Sequence, residues 1–360
     1  MKILFIGPMS LPIPSEKGAV EEIIWQTARR LKAYAEVLIA NPVTRSTIRK
    51  YLAGKTLAFT PADIVHSHNL YASLGLATTP GKRHLLTLHY PPWIAKSSSR
   101  KEALISILRA LDMRGVFIVA PSIAVAEFLV KRGFKNVIYI PNGVDTEMFN
   151  PAKRSQEVRE KLLNGKEILV VNVARIHPDK NQLAALKALK CIVSRQKDVK
   201  MIFVGPTSGG YIAEGVNLYY TALLKYVEKH SLKPYVHFLG EVPRKEQVAT
   251  ILASSDIYLH PSKVEAAPLA PLEAMASGLP VVAFDLPFYK GYLFNNINAV
   301  LVSPDDSKEL CKLTLELIED DNLRKAISHN AVKYSQRLFS WDSIVEKYYL
   351  PLYSKFIAST

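Results

Sequence analysis

Short apolar runs alternate with amphipathic stretches along the chain, and this alternation indicates its fold class. In the first half, six runs are typical of strands: KILFIG, AEVLIANP, ADIVHSH, HLLTLHY, VFIVAPS and NVIYIPNG. Between them, apolar residues recur at helical spacing in AVEEIIWQTARRLKAY, ALISILRALDMR and IAVAEFLVKRG. Strands and helices that alternate in this way form parallel sheets covered by helices. The pattern therefore predicts a parallel α/β domain.

The same pattern begins again after residues 141–165. Six further strand-like runs follow: EILVVNVARI, KMIFVGP, VHFLGEV, DIYLHPS, PVVAFD and AVLVSP. A chain of 360 residues is longer than one ordinary core requires, and its 49% hydrophobic content is enough to fill two. We therefore predict two Rossmann-like α/β domains over residues 1–160 and 161–338, and a C-terminal helix over residues 339–360 that packs back on the first domain.

Candidate ligand-binding residues follow the predicted strands. Open parallel sheets bind ligands beyond the carboxyl ends of their strands, so two facing domains of this kind would enclose a cleft between them. Gly18 precedes a helix whose amides suit a phosphate, although glycine there is also typical of a plain turn. His89 ends the run HLLTLH. Arg175 and Lys180 follow the first strand of the second domain, as a cation pair suited to a diphosphate or as two solvated loop cations.

Two glutamates flank a proline-containing segment in HPSKVEAAPLAPLEAMASGLPVVA, residues 260–283. Pro268 and Pro271 lack an amide proton, so one helix cannot run from Glu265 to Glu273, but a helix can begin near Pro271. We therefore place Glu265 on a loop and Glu273 in a first helical turn. Taken alone, Glu265 is typical of a surface acid, and Glu273 of an acid that the helix dipole favours.

The basic charge of the chain is concentrated in its first half. The formal net charge is +14, and residues 1–163 contain 23 Lys and Arg against 12 Asp and Glu, whereas the remainder contains 23 against 20. This excess indicates an anionic partner, which is a nucleic acid, an acidic membrane surface or a phosphorylated substrate. The alternative is a basic, solvated surface without a partner.

The cysteines and the longest apolar runs bear on the compartment. Cys191 and Cys311 lie in helix-like segments without metal-ligand spacing, which predicts neither a zinc site nor a disulfide. No run reaches the roughly 18 apolar residues of a membrane span. Met1 leads directly into a strand-like run, so we expect no signal peptide. Together these features favour a cytoplasmic protein.

Six motifs taken together resemble those of the retaining glycosyltransferases of family 4. EAAPLAPLE, residues 265–273, matches the family's pattern of two glutamates separated by seven residues. The others come in family order: DIVHSH at 63–68, IPNGVD at 140–145, VARIHPDKN at 173–181, FLGEVP at 238–243 and FSWDSIVEKYYLPLY at 339–353. The resemblance covers essentially the whole chain. It implies the GT-B architecture, in which two Rossmann-like domains face each other across a cleft.

The resemblance also implies a role for each candidate residue. Glu273 would accept hydrogen bonds from the ribose hydroxyls of a sugar nucleotide, and Glu265 would orient the transferred sugar and stabilise positive charge at its anomeric carbon. Arg175 and Lys180 would neutralise the departing diphosphate, so neither a metal nor another cofactor is expected. His89 would lie near the sugar and the acceptor, unless it is a core histidine. Further donor contacts are implied at Gly18, Gly205, Val242, Leu269 and Ala270.

Three functions are compatible with these features. The leading prediction is a retaining hexosyltransferase that moves sugar from a nucleotide-diphosphate sugar to a lipid-linked or phosphorylated glycan. One alternative is a sugar-nucleotide epimerase or hydrolase of the same architecture. Another is a nucleic-acid-binding protein with a basic first domain. Its cations show no regular aromatic interleaving and no nucleic-acid motif, so we expect no nucleic acid partner.

A basic segment after His89, WIAKSSSRKEALISILRALDMRG, suggests contact with a membrane. Apolar residues recur in it at helical spacing, at Leu104, Ile105, Leu108 and Leu111, among the cations Lys96, Arg100, Lys101, Arg109 and Arg114. The segment either lies on an anionic membrane or packs its apolar stripe on the first-domain sheet. The first alternative predicts a peripheral protein on the cytoplasmic membrane face.

Overall fold

The structure is a computed structural model that describes residues 1–14, 18–79, 84–94, 97–207 and 213–358, with the backbone alone at 213–217. The chain divides into two compact units. Unit 1 comprises Met1–Gly143 and Phe339–Thr360, and unit 2 comprises Val144–Leu338.

Unit 1 contains a six-stranded parallel sheet. Its strands are β1 (Lys2–Ile6), β2 (Glu36–Ala40), β3 (Ile64–Ser67), β4 (Leu85–Thr87), β5 (Phe117–Ala120) and β6 (Val137–Tyr139). Its helices before the chain leaves the unit are α1 (Ala19–Leu31), α2 (Thr47–Leu57), α3 (Leu70–Ala77), α4 (Ser98–Met113) and α5 (Ile123–Val130). The central strands are buried on both faces, which is why they are continuous apolar runs in the sequence.

Unit 2 repeats this architecture with a second six-stranded parallel sheet. Its strands are β7 (Ile168–Val173), β8 (Val199–Val204), β9 (Val236–Gly240), β10 (Ile257–His260), β11 (Val281–Phe284) and β12 (Ala299–Val302). Its helices are α6 (Gln156–Leu163), α7 (Gln182–Val193), α8 (Ala213–Lys229), α9 (Lys245–Ala253), α10 (Ala270–Ala276), α11 (Ser307–Glu319) and α12 (Asp321–Leu338). Each of the twelve predicted strand-like runs overlaps one of these strands, so the predicted α/β class is confirmed.

The end of the chain returns to unit 1 as α13 (Trp341–Ile344), a π-helical turn (Val345–Tyr349) and α14 (Leu350–Ala358). Trp341 and Tyr353 are buried there, and the Tyr353 hydroxyl lies 2.7 Å from Nδ1 of His66 on β3. Arg30 on α1 also pairs with Asp342, at 2.9 Å. These contacts make the last helices part of the first unit's core.

The division between the units lies earlier than the predicted boundary at residue 160. Unit 2 begins at Val144 because the segment before β7 packs on unit 2. Arg159 on α6 pairs with Asp256 at 2.8 Å, and the Ser155 amide donates to the Ser254 hydroxyl at 3.0 Å. An apolar pattern locates strands but does not show which sheet a connecting helix covers.

In each sheet there is one point where the order of successive strands across the sheet reverses. The order is β2-β1-β3-β4-β5-β6 in unit 1 and β12-β11-β10-β7-β8-β9 in unit 2, and all pairs are parallel. The chain therefore reverses its progression between β1 and β3, and again between β7 and β10. In open α/β sheets, the loops at such a switch point diverge and leave a crevice for a ligand.

The structure contains a disulfide between Cys191 on α7 and Cys311 on α11, so the prediction of no disulfide is wrong. The two helices pack side by side on the unit 2 sheet, which brings the cysteine Cα atoms to 6.1 Å. The cysteines are 120 residues apart in the sequence, so no local spacing pattern signals the pair.

The structure supports the second alternative for the basic segment after His89. Leu108 and Leu111 of α4 are fully buried in the unit 1 core, and Leu104 and Ile105 are half-buried. Arg109 lies 5.6 Å from the centre of the Phe134 ring, which holds it on the protein surface, and Lys96 lies outside the described residues. Within the described part of the chain, no helix has the length and apolar character to span a bilayer.

Candidate active site

The main candidate site of unit 2 lies at its topological switch point, between β7 and β10. Lys180 belongs to the loop after β7, and Glu265 belongs to the loop after β10, which is the strand next to β7. The Lys180 ammonium donates to Oε1 of Glu265. The two loops also meet through their backbones, because the Lys263 amide donates to the Asp179 carbonyl at 2.8 Å. The fold therefore joins two predicted site residues that are 85 positions apart.

His260, the last residue of β10, completes this cluster. Its Nε2 lies 3.2 Å from the same Oε1 of Glu265. A carboxylate only accepts hydrogen bonds, so Nε2 donates. The Tyr258 hydroxyl lies 3.2 Å from Nδ1 of His260 and 3.1 Å from the Val173 carbonyl oxygen. His260 thus directs its Nε2 proton at Glu265.

The charges in this cluster are fixed by its surroundings. Burial by itself raises the pKa of Glu265, but Lys180 and the hydrogen bond from His260 outweigh it and hold that pKa at about 2. Burial lowers the pKa of His260 in spite of the adjacent carboxylate. At neutral pH the site therefore contains an ionised Glu265 and a neutral His260. A buried carboxylate with such partners is typical of functional sites.

The remaining donor-site candidates of unit 2 lie on loops and a helix at the same edge of the sheet. Arg175 is exposed and directly precedes the loop turn, and its carbonyl accepts from Gln182 at 2.9 Å. Gly205 follows β8, and a Cβ at this position would collide with the Ala174 carbonyl, so only glycine lets the two loops approach. Val242 follows β9 and is half-buried.

The second glutamate of the motif lies in the first turn of α10, as predicted. Leu269 is the N-cap of this helix and Ala270 is its first residue. Glu273 is half-buried. Burial first, and then the carboxylates of Glu273 and Glu265, raise the pKa of Tyr258. The loop that carries Glu265 leads directly into α10, which carries Glu273.

His89 of unit 1 lies at the end of a stack of histidines beside the β1–β3 switch point. The rings of His66 and His68 are 4.8 Å apart, and those of His68 and His89 are 5.1 Å apart. Nδ1 of His68 lies 2.8 Å from Nε2 of His89. Burial, with smaller effects of the neighbouring histidines, lowers the pKa of His68 well below its usual range, and burial lowers that of His89. The two rings are therefore neutral, and one of them donates its N–H to the bare ring nitrogen of the other.

Gly18 is the N-cap of α1, with φ of 108°. A Cβ at this position would collide with the carboxyl group of Glu21, which lies in the first turn of the helix. Burial raises the pKa of Glu21. A carboxylate in this place repels a phosphate, so the role of Gly18 in phosphate binding stays a prediction.

The sequence reasoning missed His260 and His68 as site residues. Both lie within quoted motifs, HPS at the start of residues 260–283 and DIVHSH at 63–68. His260 is the last residue of β10, and His68 directly follows β3. A polar residue where an apolar strand ends, next to a predicted switch point, is the signal that identifies them. No group of three or more His, Cys, Asp or Glu in the described ranges is placed to hold a metal ion.

Comparison with known families covers both units. The model described as "Glycosyl transferases group 1" matches residues 153–334, half of the chain. The chain belongs to this glycosyltransferase family. A second model, "Glycosyltransferase Family 4", matches residues 16–148, so the group 1 match in unit 2 has a related counterpart in unit 1.

Two curated relatives of this family member are similar over part of their length. A sulfoquinovosyl transferase of Arabidopsis thaliana is 30% identical over 258 residues, which cover 67% of this chain and 45% of that protein. The UDP-Gal:alpha-D-GlcNAc-diphosphoundecaprenol alpha-1,3-galactosyltransferase of Escherichia coli is 29% identical over 193 residues, which cover 53% of this chain and 47% of that protein. The match thus spans about half the length of these relatives.

A solved structure shows the same fold for the group 1 chain. HepE of Anabaena, crystallised with UDP, has a TM-score of 0.79 at 20% identity, and the match covers 98% of this chain and all of that one. Together with the two parallel sheets, this likeness confirms the GT-B fold.

Proposed function

We propose that this group 1 family member is a retaining glycosyltransferase that moves a hexosyl residue from a nucleotide-diphosphate sugar to an acceptor. The observation that carries the proposal is the buried contact between Lys180 and Glu265 at the β7–β10 switch point. A crevice of this kind is where open α/β sheets bind nucleotides. It combines a cation for the diphosphate with a fixed carboxylate for the sugar.

The residues of the site divide the chemical work. Breaking the bond between sugar and phosphate leaves negative charge on the diphosphate, and cations at that point stabilise the transition state more than the bound donor. Lys180 has three N–H groups, so its contact with Glu265 leaves donors for phosphate oxygens. Arg175 adds a forked guanidinium. We infer that these two cations act without a metal.

Glu265 and Glu273 bind the sugar and the ribose. Glu265 remains ionised, so it stabilises positive charge that develops at the anomeric carbon. Glu273 extends from the first turn of α10 and accepts from two adjacent ribose hydroxyls. In a retaining reaction the acceptor attacks the face that the diphosphate leaves, and a diphosphate oxygen takes the acceptor proton. His89, neutral in unit 1, is the acceptor-side residue in this proposal.

The activities of the relatives support a nucleotide-sugar donor and a lipid-linked acceptor. The E. coli relative uses UDP-Gal and a diphosphoundecaprenol-linked sugar, and HepE was crystallised with UDP. We therefore propose a lipid-linked or phosphorylated glycan as acceptor. A sugar-nucleotide epimerase or hydrolase would use the same donor cleft without this acceptor.

A donor panel tests the proposal. The protein is incubated with UDP-, GDP- and ADP-sugars, with and without undecaprenyl-diphosphate-linked sugars, in excess chelator. We expect release of nucleoside diphosphate that an acceptor stimulates, and NMR of the product should show the anomeric configuration of the donor. An epimerised nucleotide sugar, free sugar at the same rate without acceptor, or an inverted product would each overturn the proposal. Activity that requires added Mg²⁺ would overturn its metal-independent part.

Glu273→Ala provides the matched variant for this assay. Because Glu273 is half-buried and its proposed role is a ribose contact, the variant should keep its thermal unfolding temperature. Its apparent donor affinity should fall about tenfold or more, because the hydrogen bonds from the two ribose hydroxyls to the carboxylate are lost. Titration calorimetry with the active donor measures this. An unchanged donor affinity would remove the ribose assignment.

A further inference from the structure

The outer side of α2 and its flanks exposes large apolar side chains. Ile48 is 70% exposed and Leu52 51%, and they are four residues apart on one side of the helix. Phe59, just after the helix, is 74% exposed, and Val43, just before it, is 56% exposed. We call these four residues, together with the exposed cations Arg45, Arg49 and Lys55, the α2 face.

The inner side of the helix explains why this face points outward. A Cβ at Gly54 would collide with the Ala72 carbonyl, and a Cβ at Gly75 would collide with the Tyr51 carbonyl. Helices α2 and α3 are therefore packed backbone against backbone. Lys50 lies on the inner side too, and its ammonium donates to the Pro8 carbonyl at 3.1 Å. A rotation that buried Ile48 and Leu52 would destroy these contacts.

The charge around the exposed apolar residues has one sign. Residues 37–62 contain Arg45, Arg49, Lys50 and Lys55 and no acidic residue. A second copy of the same surface would bring like charges together, which opposes self-association. A surface that combines cations with apolar side chains matches an anionic bilayer, where the apolar groups enter the headgroup boundary and the cations meet phosphates.

We propose that the α2 face binds an anionic lipid surface. Its site differs from the basic segment of α4, whose apolar stripe the unit 1 core already covers. The proposal does not depend on the proposed function, because lipid binding is measured without a sugar nucleotide.

Sedimentation with vesicles tests the proposal. The full chain is mixed with vesicles of phosphatidylcholine alone or with phosphatidylglycerol, at low and at physiological salt. We expect binding to the anionic vesicles that weakens as salt screens the cations. Each basic residue near such a surface contributes about fivefold to binding, so Arg45→Glu, Arg49→Glu and Lys55→Glu together should lower the partition coefficient roughly a hundredfold or more. Ile48→Ser, Leu52→Ser and Phe59→Ser together should also lower it.

The matched control reverses three charges on α4, at Arg100, Lys101 and Arg114, with the same change in net charge. It should retain most of the wild-type binding. An equal loss in the α2 and α4 variants would show attraction by net charge and overturn the proposal. Thermal unfolding of every variant establishes that it is folded; the substituted side chains are exposed except for Lys101, which is half-buried.

A local probe shows whether the α2 face itself enters the lipid. The tryptophan of Phe59→Trp should add fluorescence that brominated lipids quench. Val130 is the last residue of α5 and is 58% exposed, and the fluorescence added by Val130→Trp should not be quenched. Equal quenching at both positions, or none at Phe59→Trp, would contradict the proposal. A different outcome would assign the α2 face to a second copy of the chain. In that case the wild-type protein would not bind vesicles but would form a dimer in sedimentation velocity, and the serine variant would be monomeric.

Discussion

Glu265 is buried and ionised, so its contribution to folding depends on pH. Its pKa is about 2 in the folded protein against a usual value of 4.5. A lowered carboxyl pKa stabilises the fold fully above pH 4.5, and this stabilisation is lost as pH falls toward 2. At pH 7 we expect the unfolding free energy of the wild type to be higher than that of Glu265→Gln. This difference should decrease by on the order of 3 kcal/mol as the pH is lowered to 2. Urea unfolding from pH 7 to 2 measures it, and a pH-independent difference would contradict the assignment.

Lys180 has both a structural and a proposed catalytic contact. Lys180→Ala removes the ammonium from Glu265 and from the diphosphate, so turnover should fall about a hundredfold, as for loss of one preorganised charge donor. Lys180→Arg keeps the charge but not the compact shape, and it should recover only part of the activity. Single-turnover rates with saturating donor separate chemistry from binding. Full activity in either variant would rule out the diphosphate role.

At the scale of elements, the disulfide joins α7, the helix that follows the Lys180 loop, to α11. Replacing both Cys191 and Cys311 by Ser should lower the unfolding free energy of the oxidised protein by about 2–5 kcal/mol, because the bond closes a long loop in the unfolded chain. Urea unfolding with and without reductant measures the loss. A reductant should destabilise wild type and leave the double variant unchanged; identical curves for both proteins would show that the bond does not form in solution.

The strands were predictable from the sequence because strands buried on both faces are unbroken apolar runs. Helices α2 and α3 were not. Helix α2 buries Gly54, half-buries Lys50 and exposes Ile48 and Leu52, which inverts the usual amphipathic pattern. Helix α3 is apolar nearly throughout. Contacts between side chains of distant segments could not be predicted either. The motifs identify Lys180 and Glu265 as candidates, but their spacing does not show that the two side chains are in contact. It also does not show that His260 donates to Glu265.

At the scale of the whole molecule, unit 2 is one continuous segment and unit 1 is two. Residues 144–338 expressed alone should therefore fold cooperatively, whereas residues 1–143 should not, because Trp341, Tyr349 and Tyr353 fill the unit 1 core. Adding residues 339–358 to 1–143 through a flexible linker should restore folding. Circular dichroism melts and amide NMR dispersion of these three proteins test this. A well-folded 1–143 fragment would contradict the role of the C-terminal helices.

The return of the chain to unit 1 also sets an order on its synthesis. Residues 1–143 leave the ribosome before unit 2, yet the side chain that meets His66 belongs to Tyr353, which is made after the whole of unit 2. Unit 2 is complete in sequence before that residue emerges, so the unit translated first is the unit that finishes folding last. During this interval the face of the β1–β6 sheet that α14 later covers is exposed in the nascent chain. A protein of this design needs its nascent first half to stay free of aggregation until translation ends.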